Sequence, residues 1–103
     1  NFGQESFAKV FARIECHYFV NRCFFGDDNQ LLKNMSRIKH IPGVIVHGRY
    51  DVVTAPKGAW DLHRVWPEAD LEFVADAGHT MTEPGITDAL VRATDRFRNA
   101  AAA

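Results

Sequence analysis

The second half of the chain alternates between strand-like and helix-like segments, and this order constrains the fold more than any other feature. Residues 44–46, together with His47, are mostly β-branched and lie between glycines, which predicts a short buried strand. A helix-like segment follows and ends at Pro67, and residues 71–75 predict a second strand before the last helix. Strands that alternate with helices pair in parallel, so we predict an α/β architecture.

Two strands are too few for such a sheet. Parallel sheets are covered on both faces and contain several strands, because a free pair would expose apolar faces and unpaired edges. We therefore predict that this region is the last part of a larger sheet. The chain begins with Asn1 rather than Met, so we expect it to be processed, truncated or read from an incomplete frame.

The first part of the chain has helical periodicity. Apolar residues from Phe7 to Tyr18 recur at the spacing of an amphipathic helix, and a second, shorter helix is predicted over residues 31–38. Pro42 disfavours a helix at the residue before it. We predict two structural regions, residues 1–40 and 41–99, with residues 100–103 as a tail.

Length and composition exclude several functions. A chain of 103 residues is enough for one domain at most. The formal net charge of −1 removes the main electrostatic argument for binding nucleic acid or an anionic membrane. No apolar run approaches the roughly 18 residues that span a bilayer, and no signal-peptide pattern opens the chain. We expect a cytoplasmic protein with no membrane contact.

The two cysteines are predicted to be free thiols. Cys16 and Cys23 lie seven residues apart in a predicted helix, which separates them by about 10.5 Å. A disulfide tolerates a Cα separation of only about 7 Å. The cysteines and histidines also lack the spacing of a metal site, so we predict no metal and no cofactor.

Asp51 and His79 are the candidate catalytic pair. Each is predicted to follow one of the two strands, and ligands bind at the carboxyl ends of parallel strands. An aspartate there can hold a histidine in the tautomer that acts as a general base. The spacing leaves a simpler alternative open, since a loop aspartate is often a turn residue and Gly-His pairs are common in loops.

The nucleophile for such a pair is missing from the sequence. Ser6 and Ser36 both lie in predicted helices and lack flanking glycines. The sheet-edge nucleophile of this chemistry needs a G-x-S-x-G turn. The chain therefore offers a base and its orienting acid, and no group for them to activate.

Longer motifs resemble the C-terminal region of the proline iminopeptidases (prolyl aminopeptidases). They are "ARIECHYFVNRCFF", "IPGVIVHGRYDVV", "AWDLHRVWPEADL", "AGHTMTEPG" and "LVRATDRF". The resemblance implies the C-terminal part of an α/β-hydrolase fold, with residues 1–40 as the end of a helical cap domain and residues 41–99 as part of the core. It also implies a serine peptidase that removes N-terminal proline, with the serine in a missing N-terminal part of the same enzyme. This chain alone would then be inactive.

The resemblance also assigns roles to residues. Asp51 would be the triad acid, His79 the general base, and Glu15 the cap carboxylate that holds the free amino end of the substrate. Phe11 and Tyr18 would help to wall an apolar pocket beside Glu15. The two cysteines depart from the polar or small residues expected at those positions, which puts the local cap packing in doubt.

Three further residues receive minor roles. Thr54 is close enough to Asp51 to line the pocket for the first substrate residue, Glu83 is expected to cap the final helix, and Arg49 is expected to brace its loop.

Other functions are left open at this point. The implied partners are peptides with an N-terminal proline and the missing part of the enzyme, and a homo-oligomer is left open. The fold does not assign chemistry by itself, so an esterase or epoxide hydrolase would fit the same acid and histidine. A non-catalytic interaction module that recruits a partner by strand addition is the alternative from a different class.

Overall fold

The computed structural model describes residues 4–27 and 29–102, which form two compact units. The first unit is Asn1–Lys33 and the second is Asn34–Ala103. The predicted division into a cap and a core stays a prediction.

The first unit is mainly one amphipathic helix. Helix α1 spans Glu5–Val20, as the apolar periodicity predicts, and its apolar residues are exposed. A 3₁₀ turn over Arg22–Phe24 follows, and helix α2 spans only Gln30–Lys33. The prediction of a continuous helix over residues 31–38 is wrong, because α2 gives way to a separate 3₁₀ turn over Met35–Arg37 in the second unit.

The turn after α1 has an unusual backbone. Arg22, Cys23 and Phe24 have φ angles of 52°, 55° and 62°, a left-handed conformation that residues with a Cβ adopt at a cost. The prediction that Cys23 lies in the same helix as Cys16 is therefore wrong. Both cysteines are free and exposed.

The second unit has the predicted α/β order. Strands β1 (Val44–Gly48) and β2 (Asp70–Val74) pair in parallel, in a register that places Val44 opposite Asp70. Helix α3 (Pro56–Val65) makes the crossover between them, and α4 (Pro84–Ala102) follows β2. Residues 100–102, predicted to form a tail, continue α4.

A small core holds α4 against the sheet. Val74, Ala77, Ile86 and Ala89 are buried together, and the partly buried Val46 packs against them. Gly85 permits this contact, because a Cβ there would lie 2.6 Å from Cγ1 of Val74. The first turn of α4 is thus fixed close to the end of β2.

Ion pairs join the exposed sides of α4 and β2. Arg92 donates to Glu72 and Asp88, at 2.8 Å in each case, and these contacts raise the pKa of its guanidinium. Arg96 pairs with Asp70. Exposed pairs contribute about 0–1 kcal/mol each, so the apolar contacts do more to position the helix. Among the described residues, no helix is long and apolar enough to cross a membrane.

Candidate active site

The Asp51 carboxylate organises the loop that follows β1. It is buried, with 6% of its surface exposed. Its Oδ1 accepts hydrogen bonds from the backbone N–H groups of Val53 and Thr54, at 3.0 and 2.9 Å. Asp51 is therefore a turn residue, as the simpler interpretation of the sequence allows, and one oxygen is fully used in that way.

The second carboxylate oxygen contacts the histidine. Oδ2 of Asp51 accepts from the Thr54 hydroxyl at 2.9 Å and lies 3.0 Å from Nδ1 of His79. Burial raises the pKa of the Asp51 carboxyl, but the hydrogen bonds from Thr54, His79 and Val53 outweigh it and hold the pKa well below its usual range. The group is an anion at neutral pH.

The His79 loop is tied to the end of β1 by backbone contacts. Tyr50 N–H donates to the carbonyl of Ala77 at 3.0 Å, and Arg49 N–H donates to the carbonyl of Val74 at 3.0 Å. Gly48 makes the approach sterically feasible, because a Cβ at this position would lie 1.9 Å from the carbonyl oxygen of Gly78. The glycine next to the histidine thus lies directly against the strand end that precedes Asp51.

Glu83 fixes the same loop from the other side. Its Oε2 accepts the N–H of Gly78 at 2.9 Å. The backbone carbonyl of Glu83 accepts from Thr87 N–H at 2.9 Å, which places the residue at the start of α4. Glu83 thus stands at the start of α4, where a capping residue is expected, but its side-chain acceptor is used by the histidine loop.

This arrangement defines the protonation of His79. Because the ionised Asp51 can only accept, the proton of a neutral His79 imidazole lies on Nδ1, and Nε2 keeps its lone pair. The His79 side chain is 54% exposed, whereas that of Asp51 is 5% exposed. The geometry can therefore present an oriented base to a group outside the buried acid.

Other residues singled out in the sequence lie elsewhere. Glu15 is exposed on α1 in the first unit, and its role stays a prediction. Phe11 and Tyr18 lie four residues before and three residues after Glu15, which puts all three on one side of the helix. Ser6 is in α1, as expected, whereas Ser36 lies in the 3₁₀ turn over Met35–Arg37 and not in the predicted helix over residues 31–38.

Sequence reasoning missed the role of His47 in the loop. Nε2 of His47 lies 2.9 Å from the carbonyl oxygen of Thr54 and 3.6 Å from Oδ2 of Asp51. The sequence marks His47 only as the polar end of an apolar strand. In the sequence, only its separation of four residues from Asp51 indicated that His47 could contact this loop. In the described residues, no group of three or more His, Cys, Asp or Glu side chains is arranged to hold a metal ion.

These features define a class. Parallel strands joined by a helix, with an acid after the first strand and a histidine after the second, are those of the C-terminal part of an α/β-hydrolase fold. Comparison with known proteins gives the particular family.

The chain is similar to proline iminopeptidases over nearly its whole length, which confirms the resemblance. It is 60% identical over 96 residues to a probable proline iminopeptidase of Leptolyngbya boryana, covering 93% of this chain and 30% of that protein. It is 62% identical over 91 residues to a proline iminopeptidase of Xylella fastidiosa, covering 88% of this chain and 29% of that protein. The proline iminopeptidase of Arabidopsis thaliana is 52% identical over 94 residues, 91% of this chain and 25% of its own length.

The chain thus spans about 30% of the length of the relatives that it matches. No protein-family model matches it.

Proposed function

We propose that this chain is the C-terminal portion of a prolyl aminopeptidase that releases N-terminal proline from peptides. The observation that supports this most is the 3.0 Å contact between the buried Asp51 carboxylate and Nδ1 of His79, in a chain about 60% identical to proline iminopeptidases. In this proposal Asp51 is the acid and His79 the general base of a Ser-His-Asp triad. The serine belongs to the remainder of the protein, so this chain alone is inactive.

The proposed reaction proceeds through an acyl-enzyme. Nε2 of His79 removes the proton of the serine hydroxyl as its oxygen attacks the carbonyl carbon of the N-terminal proline. The same nitrogen then gives that proton to the amine that leaves. In the second half, His79 removes a proton from the water that attacks the acyl carbon, and returns it to the serine oxygen as the ester bond breaks and proline leaves. Asp51 stabilises the imidazolium that forms in each half.

Glu15 is proposed to select the free amino end of the substrate. An ionised carboxylate accepts charge-assisted hydrogen bonds from a protonated secondary amine. Phe11 and Tyr18 share its side of α1 and offer apolar surface for the proline ring. An exopeptidase needs both features, because it must distinguish a terminal proline from an internal one.

The experiment uses a chimera, in which this chain replaces the aligned segment of the Leptolyngbya boryana protein. Hydrolysis of a proline arylamide is compared with that of the N-acetylated proline arylamide, in the parent chimera and in Glu15→Gln. We expect the parent to require the free amine. We expect Glu15→Gln to lower kcat/KM for the free amine by about 10- to 100-fold, since a hydrogen bond to a charged group is worth about 1.5–3 kcal/mol.

Three results would contradict the proposal in different ways. An unchanged kcat/KM in Glu15→Gln would remove Glu15 from the amine site and leave the peptidase assignment intact. A parent chimera that hydrolyses esters or epoxides but not proline arylamides would replace the peptidase with another α/β-hydrolase. A folded chimera with no hydrolytic activity would favour the non-catalytic alternative.

A further inference from the structure

A second histidine lies against the candidate acid, and the proposed reaction does not use it. His47 is the fourth residue of β1, and its side chain is 16% exposed. Its ring packs edge-on against Phe73, its register partner on β2, with 6.3 Å between the ring centroids. The imidazole is therefore held by the sheet rather than by the loop that it contacts.

The protonation of His47 follows from its partner. The carbonyl oxygen of Thr54 can only accept a hydrogen bond, and Nε2 of His47 lies 2.9 Å from it. Nε2 thus carries a proton and donates it to Thr54. Oδ2 of Asp51, which is 3.6 Å from the same nitrogen, adds a second acceptor on that side of the ring.

Thr54 connects His47 to the acid. The N–H and the hydroxyl of Thr54 donate to the two different oxygens of Asp51, both at 2.9 Å. Two of the hydrogen bonds that orient the carboxylate therefore come from a residue whose carbonyl is held by His47. Thr54 is exposed and lies outside regular structure, so this contact with the strand restrains it.

We propose that His47 is a positioning residue for Asp51: its Nε2–H holds Thr54, and Thr54 orients the carboxylate toward His79. The inference rests on the proposed function, because it assigns His47 to the same acid and base. It predicts a loss in the chemical step with substrate binding unchanged, since His47 acts through Thr54 and not on the substrate. Misplacement of a catalytic group by about 1 Å can cost about 100-fold in rate.

The test compares two variants of the chimera that differ in one hydrogen-bond donor. His47→Gln places an amide nitrogen near the position of Nε2 and keeps the donor. His47→Leu fills a similar volume without it. We expect kcat for the proline arylamide to fall about tenfold or more in His47→Leu and to stay within about threefold of the parent in His47→Gln, with KM within about twofold in both.

A second measurement does not depend on substrate. In a histidine-labelled chimera, the proton shared between His79 Nδ1 and Asp51 gives a low-field NMR signal. We expect this signal in the parent and in His47→Gln, and its loss or broadening in His47→Leu. Equal melting temperatures of the two variants would show that the difference is not one of overall folding.

The outcomes separate the two proposals. If the parent releases no proline, the proposed function fails, and the NMR comparison alone decides the role of His47. Parent-like kcat and NMR signal in His47→Leu would overturn the role of His47 while the peptidase assignment stands. An equal loss in both variants would also overturn it, because the donor would then be irrelevant.

Discussion

At the scale of residues, the candidate site depends on how two carboxylates are held. Asp51 receives hydrogen bonds on both oxygens, and one of them comes from His79. Glu83 holds the N–H of Gly78, the residue before that histidine. The position of Asp51 at the edge of the sheet could be predicted, because the residue follows an apolar strand in the sequence. The contact of Glu83 could not, because it depends on how the loop folds back over five residues.

Glu83 provides a test of the histidine loop. Glu83→Ala removes the acceptor for Gly78 N–H, while Glu83→Gln keeps an oxygen in its place. We expect Glu83→Ala to lower the free energy of unfolding of the chimera by about 1 kcal/mol and kcat by about tenfold, with Glu83→Gln close to the parent. Denaturant unfolding and steady-state kinetics measure the two effects. An equally large loss of kcat in Glu83→Gln would mean that the charge of Glu83, and not its acceptor, matters.

The lowered pKa of Asp51 predicts a pH dependence of stability. In the unfolded chain the carboxyl has its ordinary pKa of about 3.8, and the hydrogen bonds of the folded state lower this pKa. Its contribution is therefore fully present above the unfolded value and is lost as pH falls through the folded value. We expect the unfolding free energy of the chimera to fall more steeply below about pH 4 than that of Asp51→Asn. Parallel curves in urea titrations across this range would contradict the hydrogen-bonded carboxylate.

At the scale of elements, the sequence predicts the strands better than the short helices. β-branched residues between glycines predict β1, and the alternation with helices predicts parallel pairing. The spacing of apolar residues over 31–38 failed as a helix signal. Met35 is buried at 6% exposure while Leu31 is 62% exposed, so these residues do not form one buried helical face. Eight residues are too few for the period to distinguish a helix from two turns.

Alanine substitutions at two glycines, one at the contact between β1 and the His79 loop and one away from it, are expected to change stability in opposite directions. Gly48→Ala places a Cβ against the Gly78 carbonyl, so the loop that carries His79 must move. We expect a loss of at least about 1 kcal/mol in unfolding free energy and a large loss of kcat. Gly58→Ala, in open space on α3, is the matched control. We expect it to gain up to about 1 kcal/mol, because alanine is the better helix former. Retained activity in Gly48→Ala would contradict the close approach.

The left-handed turn after α1 predicts opposite effects of glycine substitutions at the two cysteines. Cys23 has a positive φ that glycine adopts without cost, whereas Cys16 lies inside α1. We expect Cys23→Gly to raise the unfolding free energy by about 1 kcal/mol and Cys16→Gly to lower it by about the same amount. Thermal melts of the two chimeric variants measure the difference. A destabilising Cys23→Gly would show that the turn is not left-handed.

At the scale of the whole molecule, the described core is small and many apolar side chains are exposed. The buried cluster contains Val74 and Ile86 with two alanines, whereas Val52 beside the candidate acid is 94% exposed. The motifs of the sequence predicted the family, and relatives that are about three times longer confirm the likeness. The nucleophile could not be derived in the same way, because neither Ser6 nor Ser36 lies in a G-x-S-x-G turn.

The central claim is that this chain supplies the acid and the base of a proline iminopeptidase. The most direct measurement is kcat for a proline arylamide in the chimera and in its Asp51→Asn variant. We expect the chimera to release proline, and Asp51→Asn to lower kcat by about 10³- to 10⁴-fold with its fold intact, because the amide stabilises the wrong histidine tautomer. A folded chimera that releases no proline, or an Asp51→Asn variant as active as its parent, would contradict the claim.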